Sequence, residues 1–438
     1  MQRRDRIIKK IVSWAIALLY HRVEVRQRPG LTASGPQLAN GSHFGGFSDP
    51  LVLVYAMDRV PRFIGRDVIW KNPIARVIVN WVGAIPVHKP EDGTGKSSND
   101  QMFASTYDAL GEGDLVTIFP EGITVDDPSI AAIKTGSARI ALGARANGVE
   151  GIQIISAGIH YENKAALRSD VFIDIGWEID LDAEIGNYVE PGETADASNR
   201  SAVRKLTDDM EERLRRAAPN FEDWATAHSL SSAAGVALRD TDTGGAEVGH
   251  GDRERLARLL DDADEDDQAA VEDAMTTYQA TLDAMGIDDA MFVSGMGKPS
   301  TFSWYIIRTL IIGILLLPFA LVGAVINWIP MLVVWLIGRL KVSDAMMATI
   351  KPLASLLIFL LTWIVWAWWG WSQRGAEGLA IVVLLLPVYL FALIALTERF
   401  VLFFRAVRGL ARSRSIQGVH QQMTLQRRAV VEAVAQAL

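Results

Sequence analysis

Residues 40–50 read NGSHFGGFSDP and place a histidine and an acid close together in the chain. His43 could accept a proton from an alcohol near neutral pH, because an unperturbed imidazole titrates in that range. A carboxylate on the far ring nitrogen, supplied by Asp49, would fix the tautomer and stabilise the imidazolium. Gly45 and Gly46 would let the backbone approach a substrate closely. By itself the pair is also compatible with an ordinary loop, so it needs support from elsewhere in the chain.

A second acid follows an apolar run. LVTIF at 115–119 is typical of a buried strand, and Glu121 and Gly122 come directly after it in the stretch FPEG. Ligands of open α/β sheets gather at the carboxyl ends of strands, so Glu121 could accept a hydrogen bond from a substrate hydroxyl there. The alternative is a turn that carries an exposed acid.

Basic residues occur in two further stretches. Lys89 ends GAIPVHK, which leaves an apolar segment, and Lys164 and Arg168 lie in YENKAALRS at 161–169, between two predicted strands. Together these cations could bind a phosphate group. Each of them alone is equally explained as a surface base.

The stretches occur in a fixed order, and together they resemble a known family. HFGGFSD, GAIPVHK, FPEGIT and ISAGIHY are similar to the blocks of the lysophosphatidate and glycerol-3-phosphate acyltransferases, the PlsC-like family, over about residues 20–185. Five residues separate His43 from Asp49, where the common motif has four. This longer spacing and the stretch FPEGITVDDPSIAAIKTG resemble the yeast-type subgroup that acylates glycerol-3-phosphate or dihydroxyacetone phosphate.

The resemblance implies an α/β fold with a mixed sheet flanked by helices, and an O-acyltransferase of phospholipid biosynthesis. The acyl donor would be acyl-CoA or acyl carrier protein, the acceptor would be a phosphorylated glycerol, and neither a cofactor nor a metal would be required. Thr124 stands where the common form has a base, which leaves the phosphate to other cations. The implied roles are a base and its orienting acid at His43 and Asp49, and substrate binding at Gly45, Gly46, Lys89, Glu121, Gly122, Lys134, Lys164 and Arg168.

Two other functions stay open at this stage. One lies within the class and is a 1-acylglycerol-3-phosphate acyltransferase, which makes phosphatidate. The other belongs to a different class and is a catalytically inactive membrane scaffold that binds lipid. The presence of His43, Asp49 and Glu121 argues against a decayed site.

The hydrophobic pattern of the chain sets its organisation. Strands expected at 115–119, 152–161 and 171–180 alternate with helices such as 137–148, which is typical of an α/β layer structure. We expect five regions along the chain: an amphipathic membrane-associated helix at 1–25, an acyltransferase domain at 26–228, an acidic linker and helical region at 229–300, a transmembrane region at 301–410 and a cytoplasmic helical tail at 411–438.

Long apolar runs predict an integral membrane protein. Residues 353–371 and 379–396 are each long enough to cross a bilayer, which needs about 20 residues. Residues 304–338 favour a hairpin bent near Asn327–Pro330, with a single tilted span as the alternative. Basic residues in the 339–351 loop and after the last span place the catalytic half on the cytoplasmic face, in a bacterial plasma (inner) membrane.

Composition excludes several other functions. The chain has 438 residues, a formal net charge of −8 and no cysteine. The acidic balance argues against nucleic acid as a partner. The absence of cysteine excludes disulfides, thiolate metal sites and cysteine nucleophiles. The partners that the resemblance and the apolar runs imply are the two substrates and membrane lipids, and the long apolar spans also permit a homo-oligomer.

Overall fold

The computed structural model describes residues 3–28, 34–88, 97–239, 248–294, 299–415 and 418–438. These residues divide into two compact units. The first unit, here called the catalytic unit, comprises Met1–Glu222 and Val342–Pro352. The second, here called the helical unit, comprises Asp223–Lys341 and Leu353–Leu438.

A seven-stranded mixed sheet forms the centre of the catalytic unit, as the fold class predicted. Its order is β1-β7-β6-β2-β5-β3-β4, and every neighbouring pair is parallel except β6 and β7, which are antiparallel. The expected strands at 115–119, 152–161 and 171–180 are confirmed as β5, β6 and β7. The strands are β1 Tyr20–Gln27, β2 Gln37–Gly41, β3 Arg62–Arg66, β4 Ile85–Val87, β5 Leu115–Ile118, β6 Gln153–Tyr161 and β7 Ser169–Asp180.

Helices cover the sheet and bury its apolar side chains. The helix expected at 137–148 is α5. Its apolar side chains form a buried hydrophobic cluster with those of α4, α7 and the central strands. A short 3-10 helix, Asp67–Lys71, follows β3. The α-helices that lie wholly in this unit are α1 Arg3–Leu19, α2 Ser48–Ala56, α3 Pro73–Trp81, α4 Ser97–Gly111, α5 Gly136–Ala146, α6 Leu181–Tyr188 and α7 Arg200–Ala217.

The amphipathic N-terminal helix is shorter than the expected 1–25, because the chain enters edge strand β1 at Tyr20. One face of α1 packs on α2 through buried residues such as Val12 and Ile16. Ile7, Ile11 and Trp14 lie on another face and remain exposed. The helix therefore has both a packed face and an exposed apolar face.

The helical unit contains the acidic region and the long apolar helices. The linker expected from residue 229 is helical up to Leu238. Its Ala233, Ala234 and Gly235 are buried, and α8 packs against α9, so small side chains here serve close helix packing. Helix α13 begins in the catalytic unit and continues here. The helices are α8 Trp224–Leu238, α9 His250–Asp261, α10 Glu265–Met285, α11 Asp289–Val293, α12 Pro299–Ile337, α13 Asp344–Ser415 and α14 Val419–Gln436.

Two of these helices are long and apolar enough to cross a membrane, over Ile306–Ile337 and Asp344–Arg408. The hairpin expected in 304–338 does not form, and α12 is continuous through Pro318 and Pro330. Neighbouring helices let apolar helices tolerate proline. The polar side chain of Asn327 is satisfied within the same helix, because its amide donates a hydrogen bond to Gly323 O at 2.9 Å. Helix α13 is interrupted at Arg374–Gly375, between the spans expected at 353–371 and 379–396.

Candidate active site

His43 and Asp49 form a direct hydrogen bond. His43 follows β2, and Asp49 lies in the first turn of α2, so a short loop brings the two side chains together. His43 Nδ1 lies 2.8 Å from Asp49 Oδ2. The Asp49 side chain is fully buried, whereas that of His43 is 20% exposed. This arrangement leaves the other imidazole nitrogen, Nε2, available to a substrate hydroxyl.

Further donors hold the Asp49 carboxylate in place. The Gly45 backbone N–H lies 3.0 and 2.9 Å from its two oxygens, and the Tyr161 hydroxyl donates to Oδ1 at 2.7 Å. Burial raises the pKa of Tyr161 well above its usual value, so the phenol stays a donor. The position of Asp49 at the start of α2 also favours a negative charge there. The Gly45 N–H therefore binds the Asp49 carboxylate, and a Cβ at this position would collide with Tyr161 and Asp49.

Glu121 fixes the backbone of His43. The His43 N–H donates to Glu121 Oε1 at 2.8 Å, and the Ala131 N–H donates to Oε2 at 3.0 Å. Glu121 is 1% exposed, and its burial raises its pKa despite these two donors. Phe119 stacks on the imidazole with ring centroids 4.3 Å apart. The FPEG turn thus holds the histidine from its backbone and its ring face, and the predicted contact of Glu121 with the acceptor stays a prediction.

Gly122 and Lys134 lie side by side at this turn. Gly122 has φ +68°, and a Cβ there would come within 2.7 Å of Lys134 Nζ. The Lys134 N–H donates to Pro120 O at 2.9 Å, which ties the lysine to the FPEG turn, and its side chain is exposed. An exposed ammonium beside the turn that holds His43 is in a suitable place for an anionic substrate group.

Lys164 and Arg168 bind protein oxygens in the structure. Lys164 Nζ lies 2.8 Å from Asp126 Oδ1 and donates to Val125 O at 2.7 Å, and the lysine side chain is 8% exposed. The Arg168 guanidinium donates to Ala17 O at 2.7 Å and also to Tyr20 O. Both cations therefore join segments of the catalytic unit, and their predicted role in phosphate binding stays a prediction.

A second histidine–carboxylate pair lies at the same edge of the sheet. Lys89 is outside the described residues, but its neighbour His88 directly follows β4. His88 Nδ1 lies 2.7 Å from Asp67 Oδ2, and Asp67 directly follows β3. Strands β2, β3, β4 and β5 are mutually parallel, so the residues that follow them share one edge.

A segment from far along the chain completes the surroundings of the histidine loop. The Phe47 N–H donates to Thr349 Oγ1 at 3.3 Å, and the Ser48 hydroxyl donates to Ala348 O at 3.1 Å. A Cβ at Gly46 would overlap Thr349 Oγ1, and Gly46 has φ +56°, so glycine suits this position in two ways. The Ala345 N–H donates to Asp126 Oδ1 at 2.6 Å. Residues 342–352 are therefore an integral part of the catalytic unit.

Sequence reasoning gave no role to Tyr161 or Thr349. Tyr161 ends β6 within the block ISAGIHY, and a polar hydroxyl at the end of a buried strand was a usable signal. Thr349 carries no such signal, because it lies in an otherwise ordinary helical stretch. Within the described ranges, no group of three or more His, Cys, Asp or Glu side chains is placed to hold a metal ion.

Comparison with known proteins agrees with this geometry. Residues 22–160 match the family model described as acyltransferase. His43, Asp49 and Glu121 all fall within the matched range. The matched region therefore carries an acyltransferase domain, as the four sequence blocks predicted.

The matched relatives are much longer than the shared region. The chain is 33% identical over 139 residues to glycerol-3-phosphate O-acyltransferase 2 of Saccharomyces cerevisiae, covering 32% of this chain and 18% of the relative. It is 25% identical over 127 residues to glycerol-3-phosphate O-acyltransferase 1 of the same yeast, covering 28% and 16%. The crystal structure of the 1-acyl-sn-glycerophosphate acyltransferase PlsC from Thermotoga maritima aligns with a TM-score of 0.36 at 16% identity, covering 48% of this chain and 77% of that one. The chain thus spans less than a fifth of either yeast protein.

Proposed function

We propose that the chain is a membrane-bound glycerolipid O-acyltransferase. It moves a fatty acyl group from acyl-CoA or acyl carrier protein to a hydroxyl of glycerol-3-phosphate or dihydroxyacetone phosphate. The observation that carries the proposal is the 2.8 Å contact between His43 and a fully buried Asp49 inside an acyltransferase domain. The names of the two yeast relatives support glycerol-3-phosphate as the acceptor.

The reaction needs one base and no covalent enzyme intermediate. Nε2 of His43 takes the proton of the acceptor hydroxyl as its oxygen attacks the thioester carbon. Asp49, hydrogen-bonded to Nδ1, stabilises the imidazolium that forms. The tetrahedral adduct then collapses, the C–S bond breaks, and the leaving thiolate takes the proton back from His43. The products are the ester and the free thiol carrier.

Cations beside the histidine loop would hold the acceptor phosphate. Lys134 is the most suitable of them, because its ammonium is exposed and lies against Gly122. Lys89, from the predicted set, follows His88 in the chain and lies outside the described residues. Lys164 and Arg168 would have to exchange protein oxygens for phosphate oxygens, and we assign them the lesser share.

The catalytic unit would work at a membrane surface. The exposed Ile7, Ile11 and Trp14 on α1, with basic residues nearby, fit a helix that lies at the interface. The catalytic unit follows a basic N-terminus and includes Lys351, and we assign it to the face of the membrane that these basic residues mark. Positive-inside reasoning makes that face cytoplasmic, and we place the protein in a bacterial inner membrane.

Acyl transfer by membranes that contain the full chain tests the proposal. Labelled acyl-CoA or acyl carrier protein is supplied with glycerol-3-phosphate, dihydroxyacetone phosphate or lysophosphatidate in turn. His43→Ala should abolish transfer, whereas His228→Ala, which removes an exposed histidine of the helical unit, should not.

The acceptor that receives the acyl group decides between the proposed enzyme and its alternatives. Transfer to lysophosphatidate alone would replace the proposal with a 1-acylglycerol-3-phosphate acyltransferase. Transfer that survives His43→Ala would overturn the assignment of the base. No transfer with any acceptor and either donor would favour a lipid-binding scaffold.

A further inference from the structure

A cavity of about 580 Å³ lies within the helical unit, well away in sequence from the histidine loop. Its wall is the part of α13 that follows the apolar span 379–396, together with Gly286 at the end of α10. The acyl-transfer chemistry proposed above uses none of its residues. Its lining changes character along α13: Phe400, Val401 and Phe404 come first, and Arg405, Arg408 and Arg412 follow.

The spacing of these residues puts them on one stripe of the helix. Thr397, Val401, Arg405, Arg408 and Arg412 recur every three or four positions, which is the repeat of a single helical face. The stripe is apolar next to the membrane span and basic further from it. A bilayer has the same order, with acyl chains first and headgroups beyond them.

The arginines are placed so that an anion can reach them. Arg405 is 51% exposed, and its nearest carboxylate partner, Asp288 Oδ2, is 3.9 Å away, at the limit of an ion pair. Arg412 donates to Ala284 O at 3.2 Å, in the last turn of α10, where the helix dipole favours a cation. A Cβ at Gly286 would come within 3.0 Å of Arg412 Nη1, so the glycine leaves room for the guanidinium.

We propose that this cavity binds one anionic glycerophospholipid molecule. The acyl chains lie along Phe400, Val401 and Phe404, and Arg405 and Arg408 hold the phosphate, because guanidinium groups bind phosphate oxygens in a bidentate manner. The cavity volume lies within the range of small-molecule sites, which is roughly 300–1,000 Å³. Charge complementarity selects an anionic headgroup, and the apolar half of the stripe selects a lipid over a soluble phosphate.

Lipid binding to the full chain in detergent tests the proposal. The probe is dioctanoyl phosphatidylglycerol, which is neither an acceptor nor a product of the proposed reaction, and bound lipid is counted by native mass spectrometry. The variant is Arg405→Gln with Arg408→Gln, which leaves the Arg412 contact with Ala284 intact. The matched control is Arg399→Gln with Arg428→Gln, which removes the same charge from the helical unit outside the cavity lining.

Affinity for phosphatidylglycerol should fall at least tenfold in the cavity variant, because each basic residue near a membrane surface contributes about fivefold. The affinity of the control variant should stay within about twofold of wild type, because salt screens the attraction of charges that do not contact the lipid. Phe404→Asn should also weaken binding while the arginines remain. His43→Ala should bind the lipid normally, which separates this proposal from the proposed acyl transfer.

Three results would overturn the proposal. Equal loss in the cavity and control variants would mean diffuse attraction to charge. Equal binding of dioctanoyl phosphatidylcholine would remove the headgroup selectivity. Displacement of the lipid by inorganic phosphate, with Phe404→Asn unaffected, would mean a site for a soluble anion.

Discussion

At the scale of single residues, the carboxylate of Asp49 accepts hydrogen bonds from several donors at once. His43, Tyr161 and the Gly45 backbone share its two oxygens, and the side chain has no exposure to solvent. A buried charge is tolerated only when it is paired and hydrogen-bonded, so these contacts account for its burial. The same contacts fix the plane of the carboxylate and hence the orientation of the imidazole.

Asp49→Asn should lower kcat by roughly 10³–10⁴-fold, because an amide can present its N–H to His43 and force the wrong tautomer. The KM for the acyl donor should change little. Rates of purified membranes with saturating substrates measure this effect. Asp58→Asn removes an exposed acid just after α2 and should leave the rate unchanged. A rate for Asp49→Asn within fivefold of wild type would contradict the orienting role.

The raised pKa of Glu121 predicts that the stability of the folded chain depends on pH. Burial raises its pKa in the folded chain, so over an interval above its ordinary value the folded chain holds a proton that the unfolded chain has lost. The stabilisation is complete below the ordinary pKa, and it is lost as pH rises through the raised value. Glu121→Gln, which cannot titrate, should flatten this part of the profile.

Thermal unfolding in detergent from about pH 4 to pH 7 measures the Glu121 profile. Glu121→Gln should also lower stability at every pH, since one of two backbone donors loses its acceptor, at a cost of about 1–3 kcal/mol. Glu162→Gln, at an exposed position just after β6, is the control. An identical pH slope in wild type and Glu121→Gln would refute the assignment.

At the scale of secondary-structure elements, the start of α13 supports the start of α2. Phe47 is the residue at the N-terminal boundary of α2, where backbone N–H groups lack helical partners. Thr349 accepts the hydrogen bond of the Phe47 N–H, and Ala348 accepts that of the Ser48 hydroxyl. The helix that carries Asp49 is therefore positioned by residues about 300 positions further along the chain.

Thr349→Val should reduce kcat about tenfold, because the isosteric side chain removes the acceptor for Phe47 N–H while it keeps the packing. The KM for the acyl donor should be unchanged, and Thr349→Ser should restore most of the activity. Thr362→Val is the matched control, since its hydroxyl also bonds a helix carbonyl, Ile358 O, but lies in the helical unit. A parallel loss in both valine variants would indicate a general effect on α13.

How far the sequence predicts this site depends on how local each contact is. His43 and Asp49 are six residues apart, so their contact is local, and the companion sequence blocks separated it from an ordinary loop. The contacts of Glu121 with His43, and of Thr349 with Phe47, join segments 78 and 302 positions apart. The ion pair of Lys164 with Asp126 also joins segments that are distant in the chain, so spacing did not predict it. The hairpin expected at Asn327–Pro330 failed because proline does not end a helix that its neighbours support.

At the scale of the whole molecule, a buried ionic cluster connects four helices of the helical unit. Asp289 accepts from Arg427 Nε at 2.9 Å and from the Tyr278 hydroxyl at 2.8 Å, and it also pairs with Arg239. Arg427 further donates to Val236 O at 2.9 Å. The cluster thus connects α14 to α8, α10 and α11.

Asp289→Asn should destabilise the helical unit by about 3 kcal/mol, because two arginines lose their buried counter-charge. Limited proteolysis of the detergent-solubilised chain should then cut near α14 sooner than in wild type. Glu432→Gln changes an exposed acid on the same helix and should not alter the cleavage rate. Unchanged protection in Asp289→Asn would show that α14 is held by its apolar contacts alone.

The division of the catalytic unit into Met1–Glu222 and Val342–Pro352 has a consequence for biosynthesis. The ribosome makes residues 223–341 between the two parts, which takes on the order of 10 s at about 5–20 residues per second. During that interval the start of α2 lacks its hydrogen bonds to Ala348 and Thr349, and in the proposed membrane-bound enzyme the first apolar helix is already available for insertion. A newly made chain should therefore gain its activity only after membrane insertion has begun, which would keep the nascent enzyme silent until it has reached the membrane.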